Sequence, residues 1–226
     1  MTVMFRSIIL VASCVALGAC SLLPTGGGKA AHQPRSTSSA QTMPASPIAQ
    51  KCLAQLGQTG SRFDPVPDKY YGAGCSTINS VRLSALRGDM ASFGLANLGP
   101  VACPTANAFA GWARFGVDRA ARQIMGSPLV KIETMGSYSC RNVAGTNRRS
   151  AHSNANAIDI SAFVLADGRR ISVADGWEGK AKSEREFLRV IHDSACKRFG
   201  TVLGPSYNAA HKDHFHVETG DSSFCR

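Results

Sequence analysis

The chain contains no apolar run long enough to span a bilayer as a helix. Its longest, Ile8 to Leu17, has about ten residues, where ~20 are needed. No Cys-x-x-Cys pair occurs among the 8 cysteines, so the usual spacing of a thiolate-rich zinc site is missing. Aromatic residues make up only 7% of the chain and are not interleaved with basic ones, which argues against a stacking platform for single-stranded nucleic acid. No Gly-x-Ser-x-Gly elbow surrounds Ser150, so that serine is read as a hydrogen-bonding support and not a nucleophile. No internal repeat divides the chain.

Acidic residues are in the minority. Setting aside Arg6, Lys29 and Arg35 leaves 22 of the 25 Lys+Arg in residues 51–226, against all 15 Asp+Glu, a net of about +7 with His neutral. Basic domains often bind nucleic acid, but the N-terminus points to export, where the polyanions are wall peptides, wall polymers and lipid head groups. Arg6 followed by Ile8 to Leu17 reads as a signal peptide. Leu17-Gly18-Ala19-Cys20 resembles the lipobox of bacterial lipoprotein signal peptides. The resemblance implies loss of residues 1–19 and diacylation of Cys20. With Ser21 and not aspartate next, it implies an anchor on the periplasmic side of the outer membrane. An ordinary signal peptide with an incidental cysteine is the alternative. Residues 20–49 are rich in Ser, Pro, Ala, Gly, Thr and Gln; such a segment is expected to stay disordered and to act as a tether spanning ~30 Å.

Residues 50–226 are enough for one domain with its own core. Without Cys14 and Cys20, six cysteines remain: Cys52, Cys75, Cys103, Cys140, Cys196 and Cys225. An even number in an exported chain reads as three disulfides. The six permit more than a dozen pairings. The sequential pattern 52–75, 103–140 and 196–225 is the expectation, because it clamps the N-terminal segment, the middle and the tail separately.

Hydrophobic spacing predicts helices over 51–57, over Pro104 to Met125, and over Ser183 to Phe199. The second has an apolar stripe of Phe109, Trp112, Ala113, Val117, Ala120, Ala121 and Ile124. The third opens with a Ser183–Glu186 capping box and buries Phe187, Leu188, Val190, Ile191 and Ala195. Strands are predicted at Val81 to Leu86, Leu129 to Met135, Ala157 to Leu165, Arg170 to Val173, Thr201 to Leu203 and Phe215 to Glu218. Asp64 to Asp68 and Gly72 to Gly74 read as loop. With no βα repeat, the expected class is α+β: a small antiparallel sheet flanked by helices and stapled by disulfides.

Of the 6 histidines, four lie in two short stretches, His152 before Asp159 and the run His211, His214, His216. Neutral imidazoles with a carboxylate suit a catalytic zinc, which takes three protein ligands and leaves a position open. Strand parity sends His214 and His216 to one face and Phe215 and Val217 to the core. Likewise Ala157, Asp159 and Ser161 share a face, with Ile158 and Ile160 behind. Asn154 and Asn156 suit a turn that brings His152 back over Asp159. His192, beside an apolar helix stripe with no carboxylate at ligand spacing, is read as structural.

The run Ser150-Ala-His152-Ser-Asn-Ala155-Asn-Ala157-Ile-Asp159 resembles the SxHxxGxAxD motif of the LAS zinc peptidases, the group of lysostaphin, D-Ala-D-Ala carboxypeptidases and hedgehog signalling domains. His211-Lys-Asp-His214-Phe-His216 resembles the HxxHxH element of the LAS-type murein endopeptidases. Across nearly all of residues 51–226 the chain is similar to the bacterial extensin-like C-terminal domain family. The similarity is carried by Gly74-Cys75, Cys103 before Trp112, Ser137-Tyr138-Ser139-Cys140-Arg141, Ala195-Cys196, Val202-Leu203-Gly204-Pro205 and Cys225-Arg226. Plant-extensin proline repeats are absent. The resemblance implies zinc on His152, Asp159 and His216, with His214 in the place of the catalytic base. It also implies that His211 lines the site and that Arg141 serves a substrate carboxylate or a developing oxyanion. Ala155 departs from the motif glycine, Ala151 from a usual Glu, and Glu218 from an Asp after the HxH strand.

The expected function is a monomeric zinc peptidase, endopeptidase or carboxypeptidase, acting on peptidoglycan stem peptides or cross-links and held to the membrane through Cys20. Nucleic acid is not an expected partner. A non-catalytic wall-binding or scaffold lipoprotein that keeps the zinc site is the alternative, and a zinc amidase cutting between sugar and peptide is a weaker one.

Overall fold

Ser46 is the first residue described by the computed structural model, which covers residues 46–226. The signal peptide, Cys20 and the linker up to residue 45 lie outside the described residues. The expected linker runs to 49, but its last residues are already helical. The Ser46 hydroxyl accepts from the Ala49 amide at 3.2 Å and Pro47 occupies the first turn, a pairing of cap and proline that starts α1 (Pro47–Gln58). Among the described residues no helix is long and apolar enough to cross a membrane.

Next come β1 (Arg62–Pro65), a ribbon of β2 (Tyr70–Gly72) and β3 (Cys75–Ser76), then β4 (Ser80–Arg87), β5 (Ser92–Ala96) and β6 (Val101–Ala102). Helix α2 (Cys103–Trp112) continues through π-helical turns at Ala113–Asp118 and Ala121–Met125, so the predicted helix forms in widened shape. The second half holds β7 (Leu129–Gly136), a 3-10 turn at Ala151–Asn154, β8 (Ala157–Leu165), β9 (Arg170–Ser172) and α3 (Val173–Gly176). It ends with α4 (Lys182–Cys196), β10 (Thr201–Leu203), a 3-10 turn at Ala209–His211, β11 (Phe215–Glu218) and β12 (Phe224–Cys225). The capping box expected at Ser183 does not form: Ala181 holds the cap position and offers no side-chain oxygen.

The sheet is larger than predicted and not wholly antiparallel. Ten strands join it, with the central order β1-β4-β5-β7-β8-β11-β10-β12, β6 beside β4 and β9 beside β8. The β5–β7 and β10–β12 pairs are parallel. The strands missed by sequence reading are two to five residues long or sit in Pro/Gly-rich stretches, too short for a period to show.

Helices α2 and α4 meet over the core. Trp112 is fully buried, donates its indole N–H to the Ile191 carbonyl at 2.9 Å, and meets Phe163 edge-on at 6.2 Å. Phe163 in turn meets Phe187 of α4 at 5.5 Å. The approach is close enough to dictate glycine at 116, where a Cβ would lie 2.5 Å from the Ser194 hydroxyl of α4. Phe187, Leu188, Ile191 and Ala195 are buried as predicted, but Val190 faces solvent at 43% exposure.

A bulge in β8 links core to site. Against β7 the register slips between Thr134↔Ile160 and Glu133↔Ala162, leaving Ser161 extra. Ile158 and Ile160 before it, and Phe163 and Leu165 after it, therefore all face the core, while Asp159 points away.

The disulfides are Cys52–Cys103, Cys75–Cys140 and Cys196–Cys225, with Cα separations of 6.1, 5.6 and 5.7 Å. Only the last follows the sequential expectation. Cys52 is on the buried face of α1, which packs on the start of α2; Cys75 lies on the ribbon beneath the loop after β7. Packing of whole elements, not nearness in the chain, chose the partners. Non-reducing peptide mapping should recover the 52–103 and 75–140 links; a 52–75 peptide would contradict this topology. Replacing Cys75 and Cys140 by Ser opens a crosslink of 65-residue separation and should cost about 2–5 kcal/mol in a urea titration.

Candidate metal centre

Antiparallel pairing of β8 with β11 sets Asp159 directly opposite His216. On β11, Phe215 and Val217 are fully buried in the core, so His216, and His214 just before the strand, turn to the other side. His152 arrives from the 3-10 turn. The Ser150 hydroxyl accepts from the His152 amide at 3.4 Å to open that turn, and Ala155 closes it at φ 55°.

That left-handed alanine answers the question raised by its replacing a motif glycine: the turn adopts the conformation anyway. Tertiary hydrogen bonds hold it. The Ala155 carbonyl accepts from the Ala102 amide at 2.8 Å. The Asn156 amide donates to the Thr219 carbonyl at 2.7 Å, and its oxygen accepts from the Thr105 and Thr219 hydroxyls at 2.6 and 2.7 Å. The left-handed region costs an alanine about 1–2 kcal/mol, offset by these bonds.

Three donor groups converge. His152 Nε2 lies 3.1 Å from Asp159 Oδ2 and 3.2 Å from His216 Nδ1, and His216 Nδ1 lies 2.9 Å from Asp159 Oδ1. Zinc bonds of ~2.0–2.1 Å at tetrahedral angles place ligand atoms about 3.3 Å apart, so the spacing fits. The outer nitrogens are engaged elsewhere. His152 Nδ1 is 3.0 Å from the Ser137 carbonyl, and His216 Nε2 is 3.4 Å from Glu218 Oε2. Each outer nitrogen has an acceptor for its N–H, so the inner nitrogen of each ring faces the set, the arrangement that orients metal-ligating imidazoles. With Ser137 taking an Nδ1 proton, a bare His152 Nε2 would face the carboxylate oxygen lone pair to lone pair. Only a cation between them, proton or metal, makes that contact favourable.

Without metal, a protonated His216 supplies positive charge beside Asp159. Burial opposes ionisation of Asp159, but hydrogen bonds from His152 and His216 overcome it and hold the carboxyl well below its usual range. Burial likewise opposes protonation of His216, yet Asp159 and Glu218 push it up to about 9. Glu218, resisting burial through its bond to His216, is also lowered.

Around this set stand the other predicted residues. His214 Nε2 lies 3.6 Å from Asp159 Oδ1, and its Nδ1 is 2.8 Å from Asp213 Oδ1. That bond draws the Asp213 carboxyl down. His211 packs on His214 with ring centroids 5.2 Å apart and is oriented by Asn208 Oδ1 at 2.8 Å from its Nδ1. Burial, then the neighbouring His214 and His216, lower its pKa to about 4. Arg141 is exposed on the loop after β7, makes no ion pair among the described residues, and lies near enough to add to the depression at His211.

Sequence reading missed Ser137, Asp213 and the bond from Glu218 to His216. Glu218 was legible, being two residues from His216 on the same strand face; the Ser137 carbonyl has no signature in sequence. His192, Cys196 and Cys225 also cluster, but both cysteines are in one disulfide, and His192 Nε2 bonds the Arg226 carbonyl at 3.2 Å, in line with a structural histidine.

The fold and cluster thus define a disulfide-stapled α/β domain with a histidine–carboxylate centre. The chain belongs to the extensin-like C-terminal family: the model described as Extensin-like protein C-terminus matches residues 50–226. No curated protein and no solved structure matches the chain significantly.

Zinc should bind with unit stoichiometry, and His216→Ala should abolish it; full metal content in that variant removes His216 from the ligands. Because His216 is protonated below about 9, metal binding at pH 7 must expel that proton. Calorimetry in buffers of different ionisation enthalpy should show about one proton released and affinity rising with pH toward 9; no release contradicts the assignment. Ala155→Gly should retain zinc with stability changed by about 1 kcal/mol or less, whereas β-branched Ala155→Val should lose both.

Proposed function

We propose that this domain is a zinc peptidase of the bacterial cell envelope, related to the LAS-type enzymes, which cleaves amide bonds in peptidoglycan stem peptides or cross-links. The observation that carries the reading is the inward convergence of His152 Nε2, Asp159 and His216 Nδ1, with a third imidazole, His214, standing just outside the set at 3.6 Å from Asp159 Oδ1. His152, Asp159 and His216 would hold zinc, which supplies Lewis acidity toward a carbonyl and toward water.

The remaining work falls to the chain's own groups. His214 donates Nδ1–H to Asp213, so its Nε2 lone pair is free to take a proton next to the centre, the role of a general base. Asp213 fixes that tautomer and stabilises the imidazolium that forms, much as a carboxylate orients a catalytic histidine elsewhere. His211, kept neutral by its surroundings, can donate or accept a hydrogen bond at the rim. Arg141, without an ion pair among the described residues, offers a planar fork to a carboxylate or oxyanion. Three disulfides and the lipobox-like segment support export to the envelope and anchorage at Cys20, where the basic surface favours acidic wall peptides.

Purified muropeptides digested by zinc-loaded and by chelated protein, followed by mass spectrometry, test the proposal and locate the bond cut. New products should appear with zinc alone. His214→Ala should keep zinc and lose about 10²–10⁴ in turnover; Asp213→Asn should keep zinc with a smaller loss, about tenfold or more. Stoichiometric zinc with no product would instead favour the wall-binding scaffold.

A further inference from the structure

Exposed and half-buried aromatic rings flank the centre on two sides. On the β7 side, Tyr138 follows Ser137, whose carbonyl orients His152. Its ring packs on Tyr71 with centroids 5.3 Å apart, Tyr71 is 47% exposed, and Lys69 Nζ lies 5.0 Å from the Tyr71 ring. The Cys75–Cys140 bridge and a 2.7 Å bond from Arg149 to the Ala73 carbonyl tie the β2–β3 ribbon to this loop.

On the other side, rings run outward from the histidines. His211 meets Tyr207 at 5.5 Å and Tyr207 meets Phe224 at 5.7 Å. Tyr207 and Phe224 are 43% and 41% exposed, although Cys196–Cys225 and pairing with β10 hold β12 in place. The Arg226 guanidinium lies 5.4 Å from the Phe224 ring and makes no ion pair among the described residues.

Strand order gives the distance between the flanks. β7, β8, β11, β10 and β12 are successive neighbours, and four steps of ~4.8 Å separate the outer two by about 19 Å. An extended peptide of about six residues covers that span at ~3.3 Å each, with the donor residues of β8 and β11 one and two strand steps in from β7. Ordered, exposed aromatics beside cations without acidic partners are what binding surfaces concentrate.

We infer that the centre lies within a peptide-binding cleft with an aromatic and cationic subsite on each flank. Its ligand is a carboxylate-bearing peptide that continues in both directions past the bond acted upon, a cross-linked peptide and not a free chain end. The identity of that peptide rests on the peptidase reading above; the two flanking subsites do not.

Zinc-loaded full-length His214→Ala protein binds without turnover, so calorimetric titration separates affinity from chemistry. The probes are a purified cross-linked muropeptide dimer, its uncross-linked monomer, and peptide-free glycan. The dimer should bind about tenfold or more tighter than the monomer, with glycan weakest. Adding Tyr138→Ala or Phe224→Ala should each weaken the dimer about tenfold, with zinc content and circular dichroism unchanged. Equal affinity for dimer and monomer, glycan binding as tight as the dimer, or dimer affinity indifferent to both substitutions overturns the cleft. Dimer preference in a protein that hydrolyses nothing when His214 is restored refutes the peptidase reading and leaves the cleft standing.

Discussion

The pairing of Asp159 with His216 across β8 and β11 is the constraint on which the centre depends, and the core enforces it. Phe215 and Val217 alternate with His214 and His216 and are fully buried. Burying each is worth roughly 1.5–3 kcal/mol. A slip of one residue would turn both out to solvent and drive the histidines inward. On β8 the bulge at Ser161 lets Ile158, Ile160, Phe163 and Leu165 all serve the core while Asp159 still faces its partner. Correct packing on one face of the sheet therefore aligns the donors on the other.

Much of this was legible because it depends on period. Strands Ala157–Leu165, Thr201–Leu203 and Phe215–Glu218 have the bounds their patterns predict. Parity alone separated His214 and His216 from Phe215 and Val217. What stayed hidden depends on tertiary contact. The partners of Cys52 and Cys75 follow from how α1 packs on α2 and how the β2–β3 ribbon lies under the loop after β7. Neither arrangement leaves a pattern in the chain. The carbonyl of Ser137 orients His152 through its backbone, which any residue supplies. The missed strands, two to five residues long, are too brief to carry a period, so the sheet was underestimated.

The electrostatics of the centre follow from the same geometry. Asp159 is a largely buried carboxylate, which burial alone would neutralise. It stays charged because two imidazoles answer it, and those imidazoles are themselves aimed by Ser137 and Glu218. The outcome is a set of lone pairs held at 2.9–3.2 Å whose mutual repulsion is relieved only by positive charge. One proton relieves it partly, leaving His216 raised to about 9. A divalent ion relieves it at all three donors, and in a poorly solvated site that difference is large.

The same argument explains why His214 is set apart. Its Nδ1 is claimed by Asp213 rather than by the backbone, and its Nε2 stands 3.6 Å from Asp159 Oδ1, beyond the 2.9–3.2 Å spacing of the other three. An imidazole drawn into the set would give its lone pair to the ion and lose its capacity to take a proton. Held just outside, with a carboxylate ready to stabilise its charged form, it keeps that capacity. Both rings find a carboxylate at the outer nitrogen, Asp213 for His214 and Glu218 for His216. What separates them is distance from Asp159 Oδ1, 3.6 against 2.9 Å, and under the proposed function that distance leaves the base at 214.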